Sequence, residues 1–296
     1  MVNNASIGSV SIEQVDASPS RRLMCILAHP DDETLGMGGV LAKYASEGVT
    51  TAVLTATRGE YGWSGDAESN PGPEALGAIR AAELRAATNA LGVDDVTFLD
   101  YQDGQLDQAD AGEVAAKIAA EIRRFRPDVV VTFGHDGLYG HPDHIAICQF
   151  ATAAIVAAAD PSFATDGDAA AHRVSKLYYR AAETDWIASY EAAFGELVME
   201  IDGRERRSPG WADWTITTRV DASEHWEQVW EAVQCHRSQL PLYEGLKRLP
   251  AERHAELWGT QEYYRVFSAV NGGRELETDL FAGLPARVVS RTPKCR

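Results

Sequence analysis

Positive charge is what this sequence has least of. Its 296 residues hold 27 Lys and Arg against 44 Asp and Glu, a formal net charge of −17, and no basic run exceeds Arg-Glu-Arg-Arg at 204–207. An acidic surface repels phosphate backbones and anionic headgroups, which argues against nucleic acid or membrane as a partner and points to a small molecule. Long apolar runs are absent too. None reaches the ~20 residues of a spanning helix, and the first, at 23–28, lies behind Arg21 and Arg22 and is too short for a secretory signal. These absences predict a soluble cytoplasmic protein. The four cysteines, at 25, 148, 235 and 295, have no Cys-x-x-Cys spacing, which predicts free thiols, with Cys25 and Cys148 in apolar core contexts. Also missing are a Gly-x-Ser-x-Gly elbow, a Walker-type loop and a His-Glu-x-x-His helix, so serine hydrolase, P-loop and zincin readings lack their central residues.

What is present is a globular mix, 45% hydrophobic and 24% charged. At this length roughly three quarters of the unfolded surface can be buried. Apolar runs at 23–28, 50–57, 129–133 and, shorter, 96–99 read as strands buried on both faces. Helices fit 35–47, 73–91 and 142–159. Val114, Ile118, Ile122 and Phe125 recur at helical spacing up to Arg126-Pro127-Asp128. Beyond about residue 172 the pattern is looser: a strand at 174–180, a helix at 184–193, a polar loop near 202–213, a strand at 215–220 and a helix at 222–239. This alternation predicts an α/β fold, a Rossmann-like, mainly parallel twisted sheet with helices on both faces and an elaborated C-terminal third. The expected organisation is an N-terminal extension, 1–20, and a single domain, 21–296. The long Gly/Pro/Asn/Asp segment at 58–73 reads as a functional surface loop.

Two clusters carry chemistry. The first strand runs into Ala28-His29-Pro30-Asp31-Asp32-Glu33, where open α/β sheets bind ligands. An imidazole and three carboxylates there would repel a pyrophosphate, which disfavours a dinucleotide site. The strand at 129–133 leads into Gly134-His135-Asp136-Gly137-Leu138-Tyr139-Gly140-His141-Pro142-Asp143-His144. Pro142 suits the first position of a helix, placing His141 near its cap and His144 on its first turn. His29, Asp32 and His144 together offer two imidazoles and a carboxylate, a set suited to Zn²⁺ with one position left for water. Each cluster alone could serve only as a helix cap. Two of them, after two candidate parallel strands, favour a site. His135 and Asp136 add ionisable groups nearby, and Cys148, four residues after His144, reads as core packing.

In the motifs Ala-His-Pro-Asp-Asp-Glu at 28–33 and Tyr-Gly-His-Pro-Asp-His at 139–144, the chain resembles the PIG-L/LmbE-like family of zinc-dependent N-acetylglucosamine deacetylases. The resemblance spans about residues 22–160, with a weaker echo at His236-Arg237-Ser238-Gln239. It implies that His29, Asp32 and His144 hold Zn²⁺, with Fe²⁺ and Co²⁺ as alternatives, and that Asp31 is the general base. It further implies Tyr139 as an oxyanion donor, and either His141, oriented by Asp143, or Asp31 itself as proton donor to the departing amine. The resting charge of His141 stays open, since a helix N-terminus favours its neutral form and a nearby carboxylate the charged one. Arg80 and Asp103 would bind sugar hydroxyls, Arg80 alternatively forming an ordinary ion pair with Glu83. Tyr61 and Trp63 would stack on a ring or merely pack their loop. The implied activity is removal of the N-acetyl group from an N-acetylglucosaminyl conjugate. Two alternatives are an amidase of low-molecular-weight, mycothiol-like thiol conjugates and a non-catalytic metal-containing sugar-binding module. The last is disfavoured because a structural site needs no base. A homo-oligomer is compatible with the sequence.

Overall fold

A strand with no polar face must be covered on both sides, and the apolar runs of the first half pair accordingly. The computed structural model describes residues 20–201 and 203–285. Strands β1 (Arg22–Leu27), β2 (Thr50–Thr57), β3 (Asp95–Tyr101), β4 (Val129–Phe133) and β5 (Lys176–Arg180) align parallel in the order β3-β2-β1-β4-β5. A small antiparallel hairpin follows, β6 (Val198–Ile201) with β7 (Arg204–Arg207). Then β8 (Thr218–Asp221) and β9 (Thr260–Ser268) extend the main sheet, β9 antiparallel to β5 and β8 at the edge. The order reverses between β1 and β4, so the loops leaving their carboxyl ends diverge and open a crevice.

The helices are α1 (Asp32–Leu35), α2 (Gly38–Ser46), α3 (Pro73–Leu91), α4 (Ala111–Phe125), α5 (Gly137–Gly140), α6 (Pro142–Ala159), α7 (Thr184–Phe194), α8 (Trp226–Val233) and α9 (Ala251–Gly259). The Asp110 side chain caps α4 by accepting from Glu113 N at 2.9 Å, a contact worth about 1 kcal/mol. Arg126, at φ 57, ends that helix before Pro127, and Val114, Ile118, Ile122 and Phe125 form its buried stripe. By length and composition α6 could cross a membrane. It packs instead on α4, β1 and β4, as the helix that carries His144 into the core.

Several expectations need correction. The helix expected at 35–47 is broken between α1 and α2, because the freed Gly36 carbonyl accepts from Arg180 Nε and Gln261 Nε2 at 3.2 and 3.1 Å. Gln261 Oε1 accepts from Val40 N at 2.8 Å on the far side of the break. The polar loop near 202–213 contains β7. The strand expected at 215–220 is a 3-10 turn, Asp213–Thr215, followed by β8. The helix expected at 222–239 is α-helical only over α8, with 3-10 turns on either side, because the chain leaves it at His236 to reach Glu33 in the turn after β1. Cys25, Cys148 and Cys235 are free thiols, the first two buried, and burial pushes Cys148 up to about 11. Residues 1–19 and Cys295 lie outside the described residues.

Candidate metal centre and active site

The β1–α1 turn sets one half of the site. Asp32 Oδ2 accepts from the backbone of Ala28 and His29 at 3.2 and 2.8 Å, which leaves Oδ1 for the cavity cluster. The other half comes from the start of α6, where His144 lies one turn in and stacks on Phe133 of β4 at 3.9 Å between ring centroids. His29 Nδ1 and His144 Nε2 stand 3.2 Å apart, His144 Nε2 and Asp32 Oδ1 3.4 Å, and His29 Nδ1 and Asp32 Oδ2 3.8 Å. A tetrahedral ion with bonds of about 2.0–2.1 Å sets its ligand atoms about 3.3 Å apart, so the spacing fits one ion among these three residues.

The outer nitrogens support the same reading. His144 Nδ1 lies 3.2 Å from the Gly137 carbonyl. His29 Nε2 lies 3.1 Å from Asp103 Oδ1 and 3.1 Å from Asp143 Oδ2. Each acceptor holds a proton on the outer nitrogen, so a cation placed between the inner nitrogens would take the position of the proton they otherwise share. The carboxylates set the electrostatics. Burial favours a neutral His29, yet hydrogen bonds to Asp103 and Asp143 and the charge of Asp32 push it up to about 10. Burial likewise raises the Asp32 carboxyl, but His144, His29 and the His29 N–H together hold it well below the usual range.

Asp103 and Asp143 depart from their expected roles. Asp103 gives Oδ1 to His29 and Oδ2 to Tyr61 N at 3.0 Å, so besides lining the cavity its carboxylate orients His29 and ties down the loop. Asp143 gives its oxygens to His29, Gly104 N and Leu106 N. Its carboxylate therefore orients His29, and it reaches the His141 ring only through its backbone N–H. His141 is the cap of α6: its Nδ1 accepts from Asp143 N at 3.1 Å, which leaves the proton on Nε2. Burial, then the charges of His144 and His29, lower its pKa to about 3. The neutral form thus prevails over the imidazolium alternative.

Asp31 sits beside the ligands at φ 110, a left-handed conformation costing about 1–3 kcal/mol in a non-glycine residue. Four contacts hold it there. Its N–H donates to Glu33 Oε2 at 2.9 Å, and its carbonyl accepts from Thr34 Oγ1 at 2.8 Å. Its Oδ2 accepts from Arg80 Nη2 at 3.0 Å and from the Tyr243 hydroxyl at 2.7 Å. Arg80 is not the surface partner of Glu83. It is buried, its Nη1 also donates to Gly59 O at 2.9 Å, and its Nε is buried without a partner. A Cβ on Gly59 or Gly62 would come within 2.5 or 2.4 Å of the guanidinium, so a side chain at either position would push Arg80 out of its place.

Glu83 instead accepts from Ser238 N and Oγ at 2.8 and 2.7 Å. The 3-10 segment Arg237–Tyr243 straps the site together. His236 Nε2 meets Glu33 Oε1 at 2.6 Å, Gln239 Nε2 donates to Gly62 O at 2.8 Å, and Ser64 Oγ donates to Ser238 O at 2.6 Å. Tyr243 and the Glu33–His236 pair were missed in the sequence. The His-x-Ser-Gln echo was the only signal for that segment.

A cavity of about 570 Å³ opens over this cluster, lined by His29, Asp31, Asp32, Arg80, Asp103, Tyr139, His141 and His144 at one end. Tyr139 follows Leu138, whose φ of 69 breaks α5, and its ring lies 5.4 Å from that of His144. Burial and the charges of Asp32 and Asp31 raise its pKa, keeping it a neutral donor. Tyr61, 60% exposed, lies on the cavity wall. Trp63 packs within its own loop, donating to Asp66 O at 2.9 Å. Exposed His135 lies edge-on to Trp211, and Asp136 accepts from the Trp211 indole at 3.3 Å; neither residue lines the cavity.

A buried His/Asp cluster at the switch point of a Rossmann-like sheet, with a carboxylate beside it, is an arrangement suited to metal-assisted hydrolysis, and the relatives place the chain among the deacetylases. The family profile described as PIG-L, GlcNAc-PI de-N-acetylase, matches residues 24–155. A Geodermatophilus obscurus protein named 1D-myo-inositol 2-acetamido-2-deoxy-alpha-D-glucopyranoside deacetylase is 36% identical over 298 residues, covering 90% of this chain and 99% of its own. The chain belongs to the PIG-L family. Among solved structures, N,N'-diacetylchitobiose deacetylase from Pyrococcus horikoshii shares the fold at TM-score 0.62 and 22% identity, covering 83% of this chain and 84% of that one. A 4-carboxy-2-hydroxymuconate hydratase from Pseudomonas putida does so at TM-score 0.61 and 19% identity, covering 86% and 99%. The fold thus hosts more than one chemistry, and function has to be argued from the site.

Proposed function

We propose that the protein removes the N-acetyl group from an N-acetylglucosaminyl conjugate, with Zn²⁺, or alternatively Fe²⁺ or Co²⁺, held by His29, Asp32 and His144. The observation that carries this reading is Asp31, a carboxylate kept in a strained conformation beside the ligand set. A sugar-binding module with a structural metal would have no use for it. When bound, the ion polarises the amide carbonyl and lowers the pKa of water to about 7. Asp31 takes the proton of the attacking water as the new C–O bond forms, while the Tyr139 hydroxyl and the His141 Nε2–H serve as neutral donors to the developing oxyanion. Asp31 then passes that proton to the amine nitrogen as the C–N bond breaks, releasing acetate and the free amine. Arg80 keeps the Asp31 carboxylate in place. Asp103 and Asp143 keep His29 in the tautomer that presents Nδ1.

The inositol glycoside named for the Geodermatophilus relative is the first conjugate to test. Amine release from a panel of N-acetylglucosaminides is expected from the zinc-loaded protein and is expected to vanish in Asp31→Ala at unchanged metal content. Zinc binding without release from any conjugate would overturn the reading.

A further inference from the structure

The cavity has two chemically different parts. Besides the His/Asp cluster its lining holds Leu138, Leu197, Met199 and Leu242 together with the stacked pair Trp186 and Tyr190, whose rings lie 4.8 Å apart, so this part is mainly apolar, with the Tyr190 phenol as its polar group. The four aliphatic and thioether side chains offer no strong hydrogen-bonding group. The Trp186 indole N–H is already spent on Leu257 O at 3.0 Å, and the Gln239 amide N–H₂ on Gly62 O. A polyhydroxylated group placed there would lose most of its water for few partners, the Tyr190 phenol and the Gln239 carbonyl oxygen, whereas an apolar group would gain by leaving water. At this wall Leu242 is 57% exposed, an apolar side chain left open to solvent on a protein of net charge −17. Continuity with the His/Asp end means that whatever fills this lobe is attached to the amide being cleaved.

We propose that the lobe is a subsite for an apolar moiety of the amino-sugar conjugate, an aliphatic or aromatic group of several carbons. The inference rests on the deacetylase reading for the sugar, but not for its binding test. The moiety is carried either at the glycosidic position or on the nitrogen as a longer acyl chain, and two experimental arms separate these sources.

In the first arm, calorimetry with the zinc-loaded protein compares methyl, butyl, octyl and phenyl glucosaminides, the free amines. Affinity should rise about fourfold per buried methylene, so octyl should bind at least about a hundredfold more tightly than methyl. In the second, kcat/KM is compared for acetyl, butyryl and octanoyl amides of one methyl glucosaminide. A steep trend in either arm supports the subsite and names its source. In that arm Leu242→Asn and Met199→Gln should each cut the octyl-to-methyl or octanoyl-to-acetyl ratio about tenfold. Leu242 is exposed enough for its variant to fold. Flat trends in both arms, with methyl N-acetylglucosaminide hydrolysed, would overturn the subsite and leave the deacetylase reading standing. Steep binding in the first arm with no hydrolysis of any conjugate would keep the subsite and overturn that reading.

Discussion

Asp31 and Glu277 are both largely buried carboxylates that hold cationic side chains, and they are built in opposite ways. Glu277 is saturated. Its Oε1 accepts from Lys176 Nζ, Arg265 Nη1 and Asn271 Nδ2 at 2.7, 2.6 and 2.7 Å, and its Oε2 from the hydroxyls of Tyr178 and Thr218 at 2.6 and 3.0 Å. Asp31 gives both its side-chain bonds to Oδ2, and among the described residues nothing donates to Oδ1. The first carboxylate ties β5, β8 and β9 to the chain beyond them. The second keeps acceptor capacity on the cavity wall, at the cost of a strained backbone. A buried group with every lone pair occupied stabilises the fold, whereas one with spare capacity is available to a ligand.

The comparison is sharpest at Asp31→Asn. Losing a general base costs 10²–10⁴-fold, so kcat should fall about a thousandfold at unchanged zinc content, while the buried Arg80, left without its counter-charge, lowers stability by about 3 kcal/mol at most. A loss of stability larger than the loss of activity would erase the contrast. Glu277→Gln should do the reverse. It leaves Lys176 buried without its counter-charge, which costs about 3 kcal/mol in urea unfolding, with kcat unchanged at 25 °C.

The same variant should change the acid response. Burial raises the Glu277 carboxyl, but hydrogen bonds from Lys176, Tyr178 and Asn271 hold it at about 2, below its ordinary 4.5. Its contribution is therefore complete above about pH 5 and is lost as pH falls toward 2, because the unfolded chain takes up the proton first. The fall in stability across that window should be shallower in Glu277→Gln, and an unchanged slope would show that other carboxyls carry it. Tyr243→Phe removes a single donor from Asp31, so kcat should drop about tenfold at constant KM, and an equal rise in KM would make Tyr243 a substrate contact instead. Smallest of all, Cys148→Ala should cost about 1 kcal/mol of stability and leave metal content unchanged; lost zinc would make the thiol a ligand.

What could be read from the sequence depended on where the chemistry lay along it. His29 and Asp32 follow directly on one apolar run that reads as a covered strand, and His144 follows another across the loop at 134–141, so pattern and position pointed the same way. The groups that hold these side chains in place were not legible. Asp103 reaches His29 from the end of β3, two strands away in the sheet, and only the order of the strands brings it there. β9 was hidden by its own composition: Gln261 and Glu262 are buried, so the alternation of a strand is masked by polar side chains with long-range partners in Gly36, Val40 and Arg219. α8 stopped short of its apolar pattern because the Glu33–His236 contact outweighed the local preference to continue. The same contact explains why His236, which burial would keep neutral, is held above its usual range by Glu33.

The strap over the site also has a meaning in time. The three candidate metal ligands all lie within residues 29–144, but the contacts that set Asp31 bridge 203 residues for Glu33–His236 and 212 for Asp31–Tyr243. Closing so long a loop costs more than forming the local strand pairs, so these contacts belong to the late steps of folding. As the chain emerges from the ribosome, His29, Asp32 and His144 are all made long before the segment that fixes Asp31. Under the proposed reading, a growing polypeptide would carry the ligands of its ion well before its base is set.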